Sequence, residues 1–199
     1  MPDLTLGFDT SAAHCAAALL IDGRLLAARH EDMARGQAER LMAMLEELLS
    51  ETGHGWHDLS VIGVGTGPGN FTGLRVSVAA ARGLSLALGI PAIGISVTEA
   101  MAYGLPRPCR VVIEGRKDDV IWQDFFEDGD SATLSDPRSS PRESLPKGPQ
   151  VMVSPTPLAE AIAHLAHERR NQPQPRPAPI YLRPADAAPA RDRGPVILP

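Results

Sequence analysis

Aromatic residues are scarce. Two Trp, 2 Tyr and 4 Phe make up 4% of the 199 residues, so the core must be aliphatic. Cysteine is scarcer still: Cys15 and Cys109 exclude a disulfide scaffold, and both sit among apolar neighbours, as buried free thiols do. Lysine is nearly missing, and 17 Arg with 2 Lys supply the positive charge. The net charge of −5 excludes a protein that wraps nucleic acid by charge alone. No long hydrophobic run survives interruption. The most apolar stretch, Val76 to Ile95, is broken by Arg82, Gly89 and Pro91, so no membrane span is expected. The opening MPDLTLGFD lacks a basic region ahead of an apolar run, so a reducing cytoplasmic location is the expectation.

What is present is unevenly spread. Residues 1–104 hold 14 of the 18 Gly and 3 of the 19 Pro, and they carry 6 Arg against 11 acids. Residues 105–199 hold the other 16 Pro and 13 charges of each sign. This predicts a regular N-terminal domain over 1–104, a reduced, loop-rich C-terminal domain over 105–187, and a mobile tail over 188–199.

Leu4–Thr10, His14–Ile21 and Arg24–His30 read as strands, and Asp22-Gly23 marks a hairpin between the last two. Gln37 to Glu51 reads as a helix with Ala38, Leu41, Met42, Leu45, Leu48 and Leu49 on its inner face. Leu59–Gly65 is a buried strand. A helix follows, capped by Asn70 or Thr72, running to about Leu88 and stopped by Gly89. Ala92–Ile95 is a short strand, and Ser96-Val97-Thr98-Glu99 has capping-box spacing. The second part offers strands Arg110–Ile113 and Val120–Phe126, a polar loop over 128–149, a short strand Gln150–Val153 and a helix Leu158–Arg170. His164 and His167 on that helix are expected at the solvent.

Gly63-Val-Gly-Thr-Gly-Pro-Gly-Asn-Phe-Thr-Gly-Leu-Arg75 joins a strand to a helix, where phosphates often bind. It is neither a Walker loop nor a dinucleotide fingerprint. We read Gly67, Gly69 and Gly73 as structural positions that let backbone pass close to backbone. Asp9-Thr10-Ser11 ends the first strand. An acid and small hydroxyls there meet a metal-bound phosphate in actin-like ATPases, which makes Asp9, Thr10 and Ser11 the candidate cofactor residues. That chemistry needs Gly in the turn and a second Asp-x-Gly-Gly loop. Here the turn is Ser11-Ala12-Ala13 and the loop is missing, so we expect a capped strand end and no cofactor. The pairs His54/His57 and His164/His167 lack a third ligand, so no metal is expected. No nucleophile elbow occurs, and no catalytic residue is assigned.

The helix after the Gly-rich loop is apolar on nearly all sides, and one sheet face cannot cover it. Met44 lies off the inner stripe of the preceding helix. A partner interface is therefore expected on Leu41, Met44, Leu45, Leu74, Val78 and Ala81, with Arg75 and Arg82 at its rim.

Five segments together are familiar: Phe8-Asp-Thr-Ser11, Gly36-Gln-Ala-Glu-Arg-Leu41, Gly67-Pro-Gly-Asn-Phe-Thr-Gly-Leu-Arg75, Gly94-Ile-Ser-Val-Thr-Glu-Ala100 and Tyr181-Leu-Arg-Pro-Ala-Asp-Ala187. With them the chain resembles the bacterial TsaB (YeaZ) family of tRNA threonylcarbamoyladenosine biosynthesis. It departs at Glu114-Gly115, where the family has Asp-Ala, with Arg116 alone matching. The resemblance implies an α/β, actin-like (ribonuclease H-like) ATPase fold with an N-terminal βββαβα domain. It implies a non-catalytic partner of the transferase TsaD, which modifies the adenosine beside the anticodon, and recruitment of the ATPase TsaE. tRNA would be met only through the complex, and the isolated chain would form a homodimer through its first two helices. TsaD holds metal through a His-x-x-x-His pair. Here the helix reads Gln37-Ala-Glu-Arg-Leu41. The alternative is a self-sufficient enzyme, either an actin-like ATPase or a glycoprotease-like peptidase.

Overall fold

The computed structural model describes residues 3–115, 117–127 and 136–182. Three antiparallel strands open the chain: β1 (Leu4–Asp9), β2 (His14–Ile21) and β3 (Arg24–Asp32). Asp22 and Gly23 take φ values of 49° and 74° at the hairpin tip, the backbone that an Asp-Gly turn favours. β4 (Leu59–Gly65) lies parallel to β1, and β5 (Ala92–Ile95) parallel to β4. The resulting five-stranded sheet has the order β3-β2-β1-β4-β5.

Two helices, α1 (Gln37–Glu51) and α2 (Phe71–Leu88), cover one face. Leu4, Leu6 and Phe8 point toward it from alternate positions of β1 and meet Leu41, Met44, Leu45, Leu48, Leu49, Val78 and Ala81. The phase of α1 differs from the expectation. Ala38 and Met42 are exposed, and Met44 is fully buried. The buried set Leu41, Met44, Leu45, Leu48 and Leu49 follows i, i+3, i+4, i+7, i+8, a continuous stripe centred on the large leucines. Starting the stripe at Ala38 rotates it off that centre.

The opposite face is covered by α4 (Leu158–Arg169), packed on β1, β2 and β4. Its contact is backbone-close. A Cβ on Gly7 of β1 would stand 2.6 Å from the Cβ of Ala163, and one on Gly63 of β4 would stand 2.7 Å from the Cβ of Ala166. Glycines on the strands and alanines on the helix let the two layers approach, and any larger residue would force them apart. The composition break near Leu105 is thus not a break in this core, because a helix from the second part completes the sandwich of the first. His164 and His167 are not free at the solvent: His164 stacks on Tyr103 with ring centroids 5.3 Å apart, and His167 Nδ1 lies 3.1 Å from Thr5 Oγ1. Burial, reinforced by the neighbouring Arg170, holds the His167 ring below the usual histidine range.

Between the two parts lies α3 (Val97–Met101), started by Ser96, whose Oγ accepts from Glu99 N at 3.1 Å. The other half of the expected capping box is not made, because the Glu99 carboxylate pairs with Arg169 of α4 instead. A second sheet runs β6 (Cys109–Glu114), β7 (Asp119–Phe125) and β8 (Arg138–Pro141), antiparallel throughout. β8 lies in the stretch expected to be loop, while Gln150–Val153 contributes a single bridge, Val151 to Arg110. Arg110 is 3% exposed, and its guanidinium is satisfied by Asp124 at 2.5 and 2.7 Å over the face of Trp122. No helix among the described residues is long and apolar enough to cross a membrane. Arg116, residues 183–187 and the tail 188–199 lie outside the described residues.

The phase of α1 is testable. Met44→Glu strands a charge in the apolar core and should cost several kcal/mol, whereas Met42→Glu should stay within about 0.5 kcal/mol of the parent. Thermal denaturation followed by circular dichroism separates the two; equal midpoints would contradict the observed phase.

Candidate functional site

β1 and β4 run parallel and deliver their C-terminal ends, Asp9 and Gly65, to the same edge of the sheet. The Gly-rich loop folds back there over the β1–β2 turn. Asn70 N donates to Ser11 O at 2.6 Å, and Thr10 Oγ1 donates to Gly73 O at 2.7 Å. A Cβ at Gly73 would lie 1.9 Å from Thr10 O, and one at Gly69 2.4 Å from Ser11 O. Gly67 has a φ of 93°, which a residue with a side chain rarely adopts. Asn70 closes the loop by capping α2, its Oδ1 accepting from Thr72 N at 3.0 Å and Gly73 N at 3.2 Å.

Asp9 is fully buried. Its Oδ2 accepts from Ser11 N at 2.8 Å, Ser11 Oγ at 2.7 Å and His14 Nε2 at 2.8 Å. Its Oδ1 is buried without a hydrogen-bond partner and faces Gly65, where a Cβ would stand 1.9 Å away. The Thr10 and Ser11 hydroxyls are already donated to Gly73 O and Asp9. Apart from Asp9 Oδ1, which is buried against the Gly65 backbone, the side-chain polar groups of the three candidate cofactor residues are therefore spent on one another, on His14 and on α2. They do not fit a metal-bound phosphate. Among the described residues, no group of three His, Cys, Asp or Glu could hold a metal ion. Cys15 is fully buried, and burial, then the charge of Glu31, push its thiol up to about 11, away from the reactive thiolate.

Beyond this edge lies a cleft of about 1250 Å³ between the two sheets. Ser11 and His14 border it from the β1–β2 turn, Asn70, Phe71 and Arg75 from α2, Ile113 and Ile121 from the second sheet, and Tyr181 from the returning chain. That chain is pinned by Ile180 N donating to Thr66 O at 2.7 Å. Arg75 stands over the Phe71 ring at 3.8 Å, and its Nε donates to Tyr181 Oη at 3.1 Å. Sequence reasoning missed this cluster. The i, i+4 spacing of Phe71 and Arg75 was a visible signal, but Tyr181 comes from 106 residues further along.

The residues expected at a partner interface are mostly inside the protomer. Leu41, Met44, Leu45, Leu74, Val78 and Ala81 are all at most 4% exposed. The correction has a simple cause: α1 and the sheet together cover the α2 face that carries Val78 and Ala81, with Leu84, Leu88 and Ile90 closing its end, and Leu74 is buried beside Gly67 of the Gly-rich loop. Arg75 and Arg82 are exposed, and Arg75 is engaged with Phe71 and Tyr181. Outward on α2 stand Ala79, Arg82, Gly83 and Leu86, the last 86% exposed.

The close packing of α2 on the β1–β2 turn predicts that Gly73→Ala, with a Cβ driven against a backbone carbonyl, costs about 1–3 kcal/mol. Urea denaturation measures it, and an unchanged midpoint would show that the contact is slack.

The comparisons with known proteins agree with this architecture. The family model described as TsaD: tRNA N6-adenosine threonylcarbamoyltransferase matches residues 30–183. The tRNA threonylcarbamoyladenosine biosynthesis protein TsaB of Escherichia coli is 34% identical over 62% of this chain and 55% of its own length. That of Haemophilus influenzae is 38% identical over 51% of this chain and 43% of its own. The chain thus spans about half the length of these relatives. The solved structure of YeaZ from Pseudomonas aeruginosa is 27% identical with a TM-score of 0.73, over 90% of this chain and 100% of that one. A mixed α/β chain with a β3-β2-β1-β4-β5 sheet, covered by α1 and α2 on one face and α4 on the other, has the actin-like, ribonuclease H-like fold, and it belongs to the TsaB/YeaZ family.

Proposed function

We propose that this chain serves tRNA threonylcarbamoyladenosine biosynthesis as a non-catalytic partner of a TsaD-type transferase. The names of its TsaB relatives support the process. The observation that carries the non-catalytic role is Asp9. Its carboxylate sits where an actin-like fold would do phosphate chemistry, yet it is fully buried and holds Ser11 and His14 in the turn. Its Oδ2 takes three internal donors and its Oδ1 is buried against Gly65, an arrangement that supports a structural role for the carboxylate. In this reading the transferase supplies the chemistry, a TsaE-type ATPase joins the assembly, and tRNA is met through the complex in the cytoplasm. Alone, the chain forms a homodimer.

The partner surface is the outward side of α2, with Leu86 at its centre and Arg82 beside it. A leucine 86% exposed on a long helix gains by being covered. α1 contributes Met42, also exposed. Its acids Glu47 and Glu51 are already paired with Arg29 of β3, and Glu47 also with Arg40 of α1 itself, so they add little unpaired charge. Burial of a few large residues, rather than total area, decides such an interface.

The experiment is threonylcarbamoyl transfer to tRNA by a reconstituted TsaD-type transferase, with and without this chain. The chain alone should be inactive toward ATP and peptides, and its addition should raise transfer. Leu86→Glu should remove both the stimulation and the homodimer in sedimentation while leaving the melting curve unchanged. Turnover of ATP or peptide by the chain alone would favour the enzyme reading, and full stimulation by Leu86→Glu would move the interface off α2.

A further inference from the structure

Six of the described arginines meet acids: Arg29, Arg40, Arg110, Arg142, Arg169 and Arg170 each pair with a carboxylate. Arg75 is held by other means. Its guanidinium lies 3.8 Å over the Phe71 ring, its Nε donates to Tyr181 Oη at 3.1 Å, and the two rings sit 5.1 Å apart. No carboxylate among the described residues pairs with it. The side chain is held by a cation–π contact and one hydrogen bond, so its remaining Nη edge is pre-organised to donate to two oxygens of one oxyanion. All three residues border the cleft, and Phe71 and Tyr181 keep 41% and 44% of their surface exposed.

We propose that this clamp is a binding site for a nucleotide unit bearing one phosphate, with the phosphate on Arg75 and the base stacked on the exposed Tyr181 and Phe71 rings. Three features select that chemistry. Among the described residues Arg75 is the one Lys or Arg bordering the cleft, and the one bordering carboxylate, Glu114, is already paired with Arg142, so a single phosphate is matched and a triphosphate is not. Half-exposed aromatic rings beside an arginine offer the flat faces on which unpaired bases stack. Asn70 borders the same cleft and uses its Oδ1 to cap α2, which leaves its Nδ2 to donate to a base or sugar. The unit could be a free mononucleotide or an unpaired nucleotide of an RNA strand; the recognising chemistry is the same. The site stands on its own geometry and does not depend on the proposed transferase partnership.

Calorimetric titration with adenosine monophosphate, with adenosine, and with a short single-stranded RNA tests it on the whole chain. Adenosine monophosphate, RNA, or both should bind, and adenosine should bind more weakly than its monophosphate. Arg75→Gln should weaken binding about tenfold, the loss of one charge-assisted contact. Tyr181→Phe, which keeps the ring but frees Nε, should weaken it less. All three residues are surface residues, so melting curves should match the parent and separate lost binding from lost folding. Binding of RNA without the mononucleotide assigns the site to a strand, and binding of both assigns it to the nucleotide alone. No binding by either, equal affinity for adenosine and its phosphate, or insensitivity to Arg75→Gln overturns the proposal. So does an acidic peptide that binds through Arg75 where nucleotides do not.

Discussion

The start of α2 touches the end of β1 with no side chain between them. Gly73 lies against Thr10 O and Gly69 against Ser11 O, so close that a methyl group fits at neither. Thr10 Oγ1 to Gly73 O and Asn70 N to Ser11 O lock the contact, and the Asn70 cap satisfies the helix amides that would otherwise be left over. Much else follows from this seam. It places α2 along the sheet so that Val78 and Ala81 enter the core with α1. It sets Phe71 and Arg75 on the rim of the cleft. It also closes the space above Asp9, whose carboxylate turns inward to Ser11 and His14.

In the proposed reading, the same seam sets this protein apart from the phosphate-transfer chemistry of its fold. A loop that binds phosphate leaves its amides open. Here the loop is spent on holding α2 against the β1–β2 turn. What the protein offers outward is surface: an exposed leucine on α2, and a cleft rimmed by aromatic rings and one arginine. Those features support the proposed reading of a protein that works by being bound.

The N-terminal half was largely legible because its signals are local. Asp22-Gly23 forces the hairpin, Asn70 caps α2, and Gly89 ends it with a φ of 69°. Two kinds of feature were not legible. One was phase: Met42 and Met44 are chemically alike, and only packing against the sheet decides which of them is buried. The other was partnership over distance. Gly7 and Gly63 read as plain strand residues until α4, from far along the chain, lays Ala163 and Ala166 over them. The short strand Arg138–Pro141 carries Ser and Pro rather than β-branched residues, and it is ordered by pairing with β7. The Arg75 clamp depends on Tyr181 in the same way. Local chemistry is written in neighbouring residues, while cores and sites are written in pairs.

The central claim is that this chain contributes a surface rather than a reacting group. The most direct test is the double variant Ser11→Ala, His14→Gln, which removes the hydroxyl and imidazole that border the cleft beside Asp9 and leaves the outward face of α2 intact. Threonylcarbamoyl transfer by the reconstituted complex should then run within about twofold of the parent rate, a difference well below 1 kcal/mol. Loss of transfer by orders of magnitude from a folded, complex-forming double variant would place a reacting group in this chain and contradict the account.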